Sequence, residues 1–158
     1  MLLRFEAANF RSILEPVELS MIAVDRDRPA AREFDLLTER VLAVSGIYGP
    51  NASGKSNVVE ALAWLSAAVG RSLRTWDEFI PREPFKFGRG PETPTAYEAE
   101  MVVRGVRYAY RVELDDSAVL FESCTATRSG SPACFSSARA WRSTSGEDSG
   151  PSRARESC

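Results

Sequence analysis

The residues of this chain that could do chemistry crowd into one short stretch. Positions 44 to 59 read VSGIYGPNASGKSNVV, and Gly49 to Ser56 follow the spacing Gly, four residues, Gly-Lys-Ser. The chain has two lysines, Lys55 and Lys86, against 18 arginines, and one of the two stands between Gly54 and Ser56. That spacing suits a chain of phosphates. Gly49 and Gly54 allow a tight turn and a close approach of bare backbone to the ligand. The N–H groups of roughly Ala52 to Ser56 would then gather at the start of a helix, whose dipole adds partial positive charge. Lys55 brings a compact full charge to the β- and γ-phosphates and is the candidate catalytic residue. The Ser56 hydroxyl is a hard oxygen ligand suited to magnesium. Asn57 can donate to the α-phosphate, while Pro50, Asn51 and Ser53 complete the loop. The competing reading is a plain Gly/Ser connector between a strand and a helix.

Composition narrows the chemistry further. The chain has 158 residues, 44% of them hydrophobic and 27% charged, with a net charge of -2. That is enough for one globular domain with a core. It is not the charge of a nucleic-acid binder that works through its whole surface, although a local basic patch stays possible. No histidine occurs. An imidazole base, Ser/His and Cys/His triads and most metalloenzyme sites are thereby removed. Cys124, Cys134 and Cys158 have no CxxC spacing and read as incidental thiols. No apolar run approaches the roughly 18 residues of a membrane span. Arg4 and Glu6 interrupt what would be the apolar core of a signal peptide. A cytoplasmic protein with no membrane partner is expected.

The elements that must position the loop follow from periodicity. In LLRFEAANF, Leu3, Phe5 and Ala7 alternate with Arg4, Glu6 and Ala8, as in a half-buried strand. VELSMIAV is a second strand candidate, and DRDRPAAREFDLLTER reads as an irregular loop. RVLAVSGIYG is an apolar, β-branched run, expected to form a buried strand of a sheet covered on both faces. From Lys55 to Val69, the apolar residues Val58, Val59, Leu62, Leu65, Ala68 and Val69 recur at three- and four-residue steps. They predict one helix, closed near Gly70. IPREPFKFGRGPETP reads as loop, and TAYEAEMVVRG with VRYAYRVELDD as a hairpin turning at Arg104-Gly105. The composition changes after Leu120, beyond which no Val, Ile, Leu or Met occurs. Residues 123–158 are therefore expected to be disordered, as a low-complexity tail or the product of a frameshift or truncation.

These stretches together resemble a known family. YGPNASGKSN is similar to the phosphate loop of ABC-type ATPase heads in the RecF, SMC and OLD branch, whose members open with a strand ending Asn-Phe-Arg-Ser, as Asn9-Phe10-Arg11-Ser12 does here. The nearest likeness is to bacterial AAA-15/AAA-21 type ATP-binding proteins, many of them tied to phage defence. It rests also on the ALAWL-containing helix, the FIP and PF loop and the hairpin, and it covers about residues 1–122. The fold it implies is the α/β N-terminal lobe of a P-loop NTPase, with mixed or antiparallel strands around one P-loop helix. The function it implies is ATP binding and hydrolysis with Mg2+. Gly49 to Asn57 would hold the phosphates and Ser56 the magnesium, and Arg11 would lie near the nucleotide or couple it to partner binding. It further implies head-to-head homodimers in a full-length parent, coupled to DNA, RNA or a nuclease partner.

This sequence departs from the family pattern in two places. An apolar strand ending Asp-Glu, which would hold magnesium and activate water, is missing, as is an LSxGQ-like signature. Asp115-Asp116 follows the loop too closely and ends a hairpin strand. A truncated module that binds nucleotide without turnover is thus the alternative, and a P-loop kinase or GTPase a weaker one. Among the aromatics, Trp64 reads as core and Trp76 as a loop anchor, while Trp141 lies in the tail. Arg71, Arg74 and Arg82 with Trp76 read as a solvated basic-aromatic surface.

Overall fold

The computed structural model describes residues 1–25, 29–34, 37–75, 79–128 and 141–142. Its centre is an antiparallel sheet of six strands. These are β1 (Leu2–Ala8), β2 (Val17–Ser20), β5 (Thr95–Val103), β6 (Val106–Leu114), β7 (Ala118–Arg128) and β8 (Trp141–Arg142), in the order β2-β1-β5-β6-β7-β8. Two short strands, β3 (Ala31–Arg32) and β4 (Val41–Leu42), pair separately. One helix, α1 (Lys55–Thr75), packs on the sheet.

Alternation decides which sheet face is buried. Phe5 and Ala7 of β1, Tyr97 and Ala99 of β5, and Val112 and Leu114 of β6 form one cluster with Val58, Ala61 and Leu65 of α1. Trp64 stacks on Tyr97 with ring centroids 5.0 Å apart, and its indole N–H donates to the Pro81 carbonyl at 2.9 Å. The core reading of Trp64 holds. The other parity carries charge: Glu6 pairs with Glu98, and Glu98 with Arg111. Arg4–Glu18, Arg107–Glu100 and Arg111–Glu113 ion pairs cross that open face.

The hairpin forms as its spacing predicts, with Val103 opposite Val106. Arg104 and Gly105 both take positive φ (50° and 73°), the backbone of a two-residue turn matched to strand twist. The loop expected over DRDRPAAREFDLLTER instead contributes β3, and its polar breakers flank that short strand.

Three expectations give way. The run 40–49 is strand only at Val41–Leu42, and Val44 is 83% and Tyr48 94% exposed. A β-branched run suits a strand, but a strand needs a bonded neighbour. Among the described residues none pairs with 43–49. Second, α1 runs through Gly70 to Thr75. Gly70 is absent from the glycines with positive φ, so it continues the helix rather than capping it. Val59 and Val69, counted on the apolar stripe, are exposed, and Ala61 takes a buried place on it. Third, β7 extends through Ser123 to Arg128, into the segment expected to lack structure. Main-chain pairing with β6 supplies the order there: Arg107 faces Thr127 and Ala109 faces Thr125. The remainder of that segment, Trp141–Arg142 apart, lies outside the described residues. Among the described residues, no helix is long and apolar enough to cross a membrane.

Candidate phosphate-binding site

The loop from Gly49 joins directly to α1, which begins at Lys55. Two residues turn it through left-handed backbone, Ala52 at φ 63° and Gly54 at φ 86°. A side chain on Gly54 would be strained by that angle, and its Cβ would also stand 3.1 Å from the Ser12 hydroxyl. A Cβ on Gly49 would lie 3.2 Å from the Ser53 hydroxyl. Both glycines thus keep the loop narrow.

Donors collect at this junction. The Asn57 N–H donates to the Gly54 carbonyl at 3.0 Å and closes the first turn. Among the described residues, no N–H from Ala52 to Ser56 donates to another backbone group outside the regular elements. The first N–H groups of a helix have no intrahelical acceptor in any case, so these are left for water or an anion. The Lys55 ammonium folds back over the loop. It donates to the carbonyls of Gly49 (2.9 Å) and Pro50 (2.5 Å), with the Ser53 hydroxyl at 3.4 Å. Four of the expected loop residues are therefore tied together by one side chain, which is the arrangement phosphate oxygens could take over from the carbonyls. Ser56 is exposed in the first turn of α1, and Asn51 is exposed in the loop.

Asn57 and Arg11 both have protein partners. The Asn57 carboxamide donates to the Ser12 hydroxyl at 2.6 Å. Arg11 is held by carboxylates. Its Nε and one terminal nitrogen reach Glu83 at 2.9 and 3.0 Å, and the other terminal nitrogen pairs with Glu60 on α1. The Glu83 hydrogen bond raises the Arg11 pKa and lowers that of Glu83. Of the Asn9–Ser12 string, Arg11 meets α1 at Glu60 and Ser12 meets its first turn at Asn57.

Sequence reasoning missed the frame behind this site. Asn9 is buried, donating to the carbonyls of Gly90 (2.8 Å) and Thr93 (2.6 Å) and accepting from the Phe85 N–H (3.0 Å). Arg82, read as solvated, has a side chain only 2% exposed. It donates to Asp116 (2.6 Å) and to the carbonyls of Thr93 and Pro91 (both 2.8 Å). Asp115 accepts from the N–H groups of Ser117 and Ala118 (both 2.7 Å) and from the Ser117 hydroxyl. Burial pushes the Asp115 pKa upward, but these hydrogen bonds outweigh it and the net shift is down. Asp115 and Asp116 therefore brace a turn and an arginine. Trp76 and the Arg74 side chain lie outside the described residues. The signal for Arg82 was available only in three dimensions, since carbonyls carry no sequence pattern.

The junction combines N–H groups without a backbone partner among the described residues, a lysine held by loop carbonyls, and glycines where a Cβ would intrude. No curated protein and no solved structure matches this chain. A family model described as "AAA domain, putative AbiEii toxin, Type IV TA system" matches residues 44–140. It takes in the loop, α1 and the hairpin, leaves β1 and the Asn9–Ser12 turn outside, and passes residue 122, where the expected likeness ended. Since the match spans more than half of the chain, this protein belongs to that AAA-domain family, and it carries a nucleotide-binding, ATPase-like module.

Proposed function

We propose that this chain binds ATP with Mg2+ through residues 49–57, as the nucleotide-binding lobe of a RecF/SMC/OLD-like ATPase. The carrying observation is the junction of loop and helix, where Lys55 reaches across to Gly49 and Pro50 at the end of a run of unbonded N–H groups. Gly49 to Gly54 would cradle the phosphates, Lys55 would neutralise the β- and γ-oxygens, and Ser56 would ligate the magnesium. The bound ion would supply charge neutralisation across the phosphate oxygens. The finer branch is supported by the Asn9–Ser12 turn, which lies outside the matched segment yet reaches the loop through Ser12.

A second head, paired head-to-head, and a DNA, RNA or nuclease partner are the proposed context. Binding without turnover is the second reading. It is favoured by Asp115 and Asp116 being committed to the β6–β7 turn and to Arg82.

A ligand series tests nucleotide binding, and phosphate release separates the two readings. Calorimetry should show ATP and ADP binding in the presence of Mg2+, and adenosine not binding, because the recognised group is the phosphate chain. Equal affinity for adenosine and ATP would defeat the proposal. Phosphate release above that of buffer would defeat the second reading.

A further inference from the structure

The Asn9–Ile13 turn is tied down from every side. Phe10 and Ile13 exchange two backbone hydrogen bonds of 2.8 Å, and the Arg11 N–H donates to the Glu83 carbonyl at 2.7 Å. The Arg11 side chain fastens the turn to Glu83 in the loop and Glu60 on α1. Asn9 fixes its near end to the 85–94 segment. Asn9 and Arg11 both sit at positive φ (53° and 50°), which gives the turn one tight shape. This shape delivers a single hydroxyl to the phosphate loop. Ser12 Oγ accepts from Asn57 at 2.6 Å and lies 3.1 Å from where a Gly54 Cβ would be.

We propose that Ser12 is a positioning residue for the phosphate loop, the fixed post that holds Asn57 and so the first turn of α1. This rests on the nucleotide-binding reading above. Ser12 acts through Asn57. A carboxamide nitrogen carries two hydrogens, so one can stay on Ser12 while the other serves a phosphate oxygen. Losing the hydroxyl leaves the Asn57 amide without its fixed acceptor and frees the Gly54–Asn57 turn to sample other arrangements.

The test has two arms on Ser12→Ala, after thermal melting has shown that it folds. In the first, 15N order parameters are measured for residues 49–57 without ligand. They should fall from rigid values near 0.85 toward the flexible range below about 0.6. Unchanged order parameters overturn the proposal. In the second, Mg-ATP affinity is measured for Ser12→Ala, Asn57→Ala and the double variant. Ser12→Ala should bind about three- to tenfold more weakly, the worth of one hydrogen bond. The double variant should be no worse than Asn57→Ala alone. Additive losses, or wild-type affinity in Ser12→Ala, overturn the proposal. If the wild-type chain binds no ATP, the nucleotide reading fails, and the first arm alone then decides whether Ser12 holds the loop.

Discussion

Asn9 sits at φ 53°, a backbone region asparagine tolerates better than most residues, and its carboxamide bonds the main chain at Phe85, Gly90 and Thr93. Its identity follows from both properties. Alanine at position 9 would keep the awkward φ, lose these bonds and leave the Phe85 N–H without its acceptor, while the Thr93 carbonyl keeps Arg82 and the Gly90 carbonyl keeps the Thr93 N–H. We expect Asn9→Ala to lower stability by about 2–3 kcal/mol in urea unfolding, since each stranded buried group costs on the order of 1–3 kcal/mol. A loss under about 0.5 kcal/mol would mean water replaces the carboxamide. The sequence showed Asn9 only as part of a string shared with a family. These partners lie 76 or more positions away, so no local pattern could reveal them. The loop residues were legible for the opposite reason: Gly49, Gly54, Lys55 and Ser56 meet within eight positions, and their types carry the chemistry.

Elements were legible where hydrophobic period and local turn chemistry agreed. β1 and the β5–β6 hairpin meet both conditions, as alternating strands closed by Arg104-Gly105. α1 was legible at its start, where the loop ends, but not at its finish. Gly70 marks a stop only if it turns left-handed, and here it does not. Among the described residues, and apart from the helix's own backbone, nothing lies within 4 Å of the position its Cβ would take. Gly70→Ala should therefore stabilise the protein by about 0.5–1 kcal/mol, the helix-propensity difference, seen as a higher melting temperature. A lower one would show that the helix is interrupted there. The 43–49 run was misjudged because β-branched residues report fitness for a sheet and not the presence of a partner strand.

The described residues centre on a polar-faced antiparallel sheet with α1 on its apolar side, and the acid response follows from carboxylates spent on structure. Glu83 and Asp115 both have pKa values below those of free side chains. They therefore stabilise the fold above their unfolded values, about 4.3 for Glu and 3.9 for Asp, and that contribution is lost as pH falls through the folded values. Melting temperature should decline below roughly pH 4.3. The decline should be shallower in Glu83→Gln and Asp115→Asn, and an unaltered slope in both would remove these groups from the acid response. At this scale the sequence conveyed the layers and the loop. It did not convey the brace formed by Asn9, Arg11 and Arg82, which exists only once β1, the 79–94 segment and the β6–β7 turn meet.

The central claim is that the 49–57 loop holds a nucleotide's phosphates, with Lys55 as the charge that secures them. Lys55 lies at the mouth of α1, reaches the loop through the Gly49 and Pro50 carbonyls and the Ser53 hydroxyl, and is not among the core residues, so its removal should leave the apolar core intact. The direct measurement is Mg-ATP titration by calorimetry of the wild-type chain and Lys55→Ala, with thermal melts in parallel. The account predicts binding by the wild type and a loss of about 1.5–3 kcal/mol in the variant, the worth of a hydrogen bond to a charged group, equivalent to roughly tenfold or more in affinity, with little change in melting temperature. Equal ATP affinity in the two proteins would contradict it.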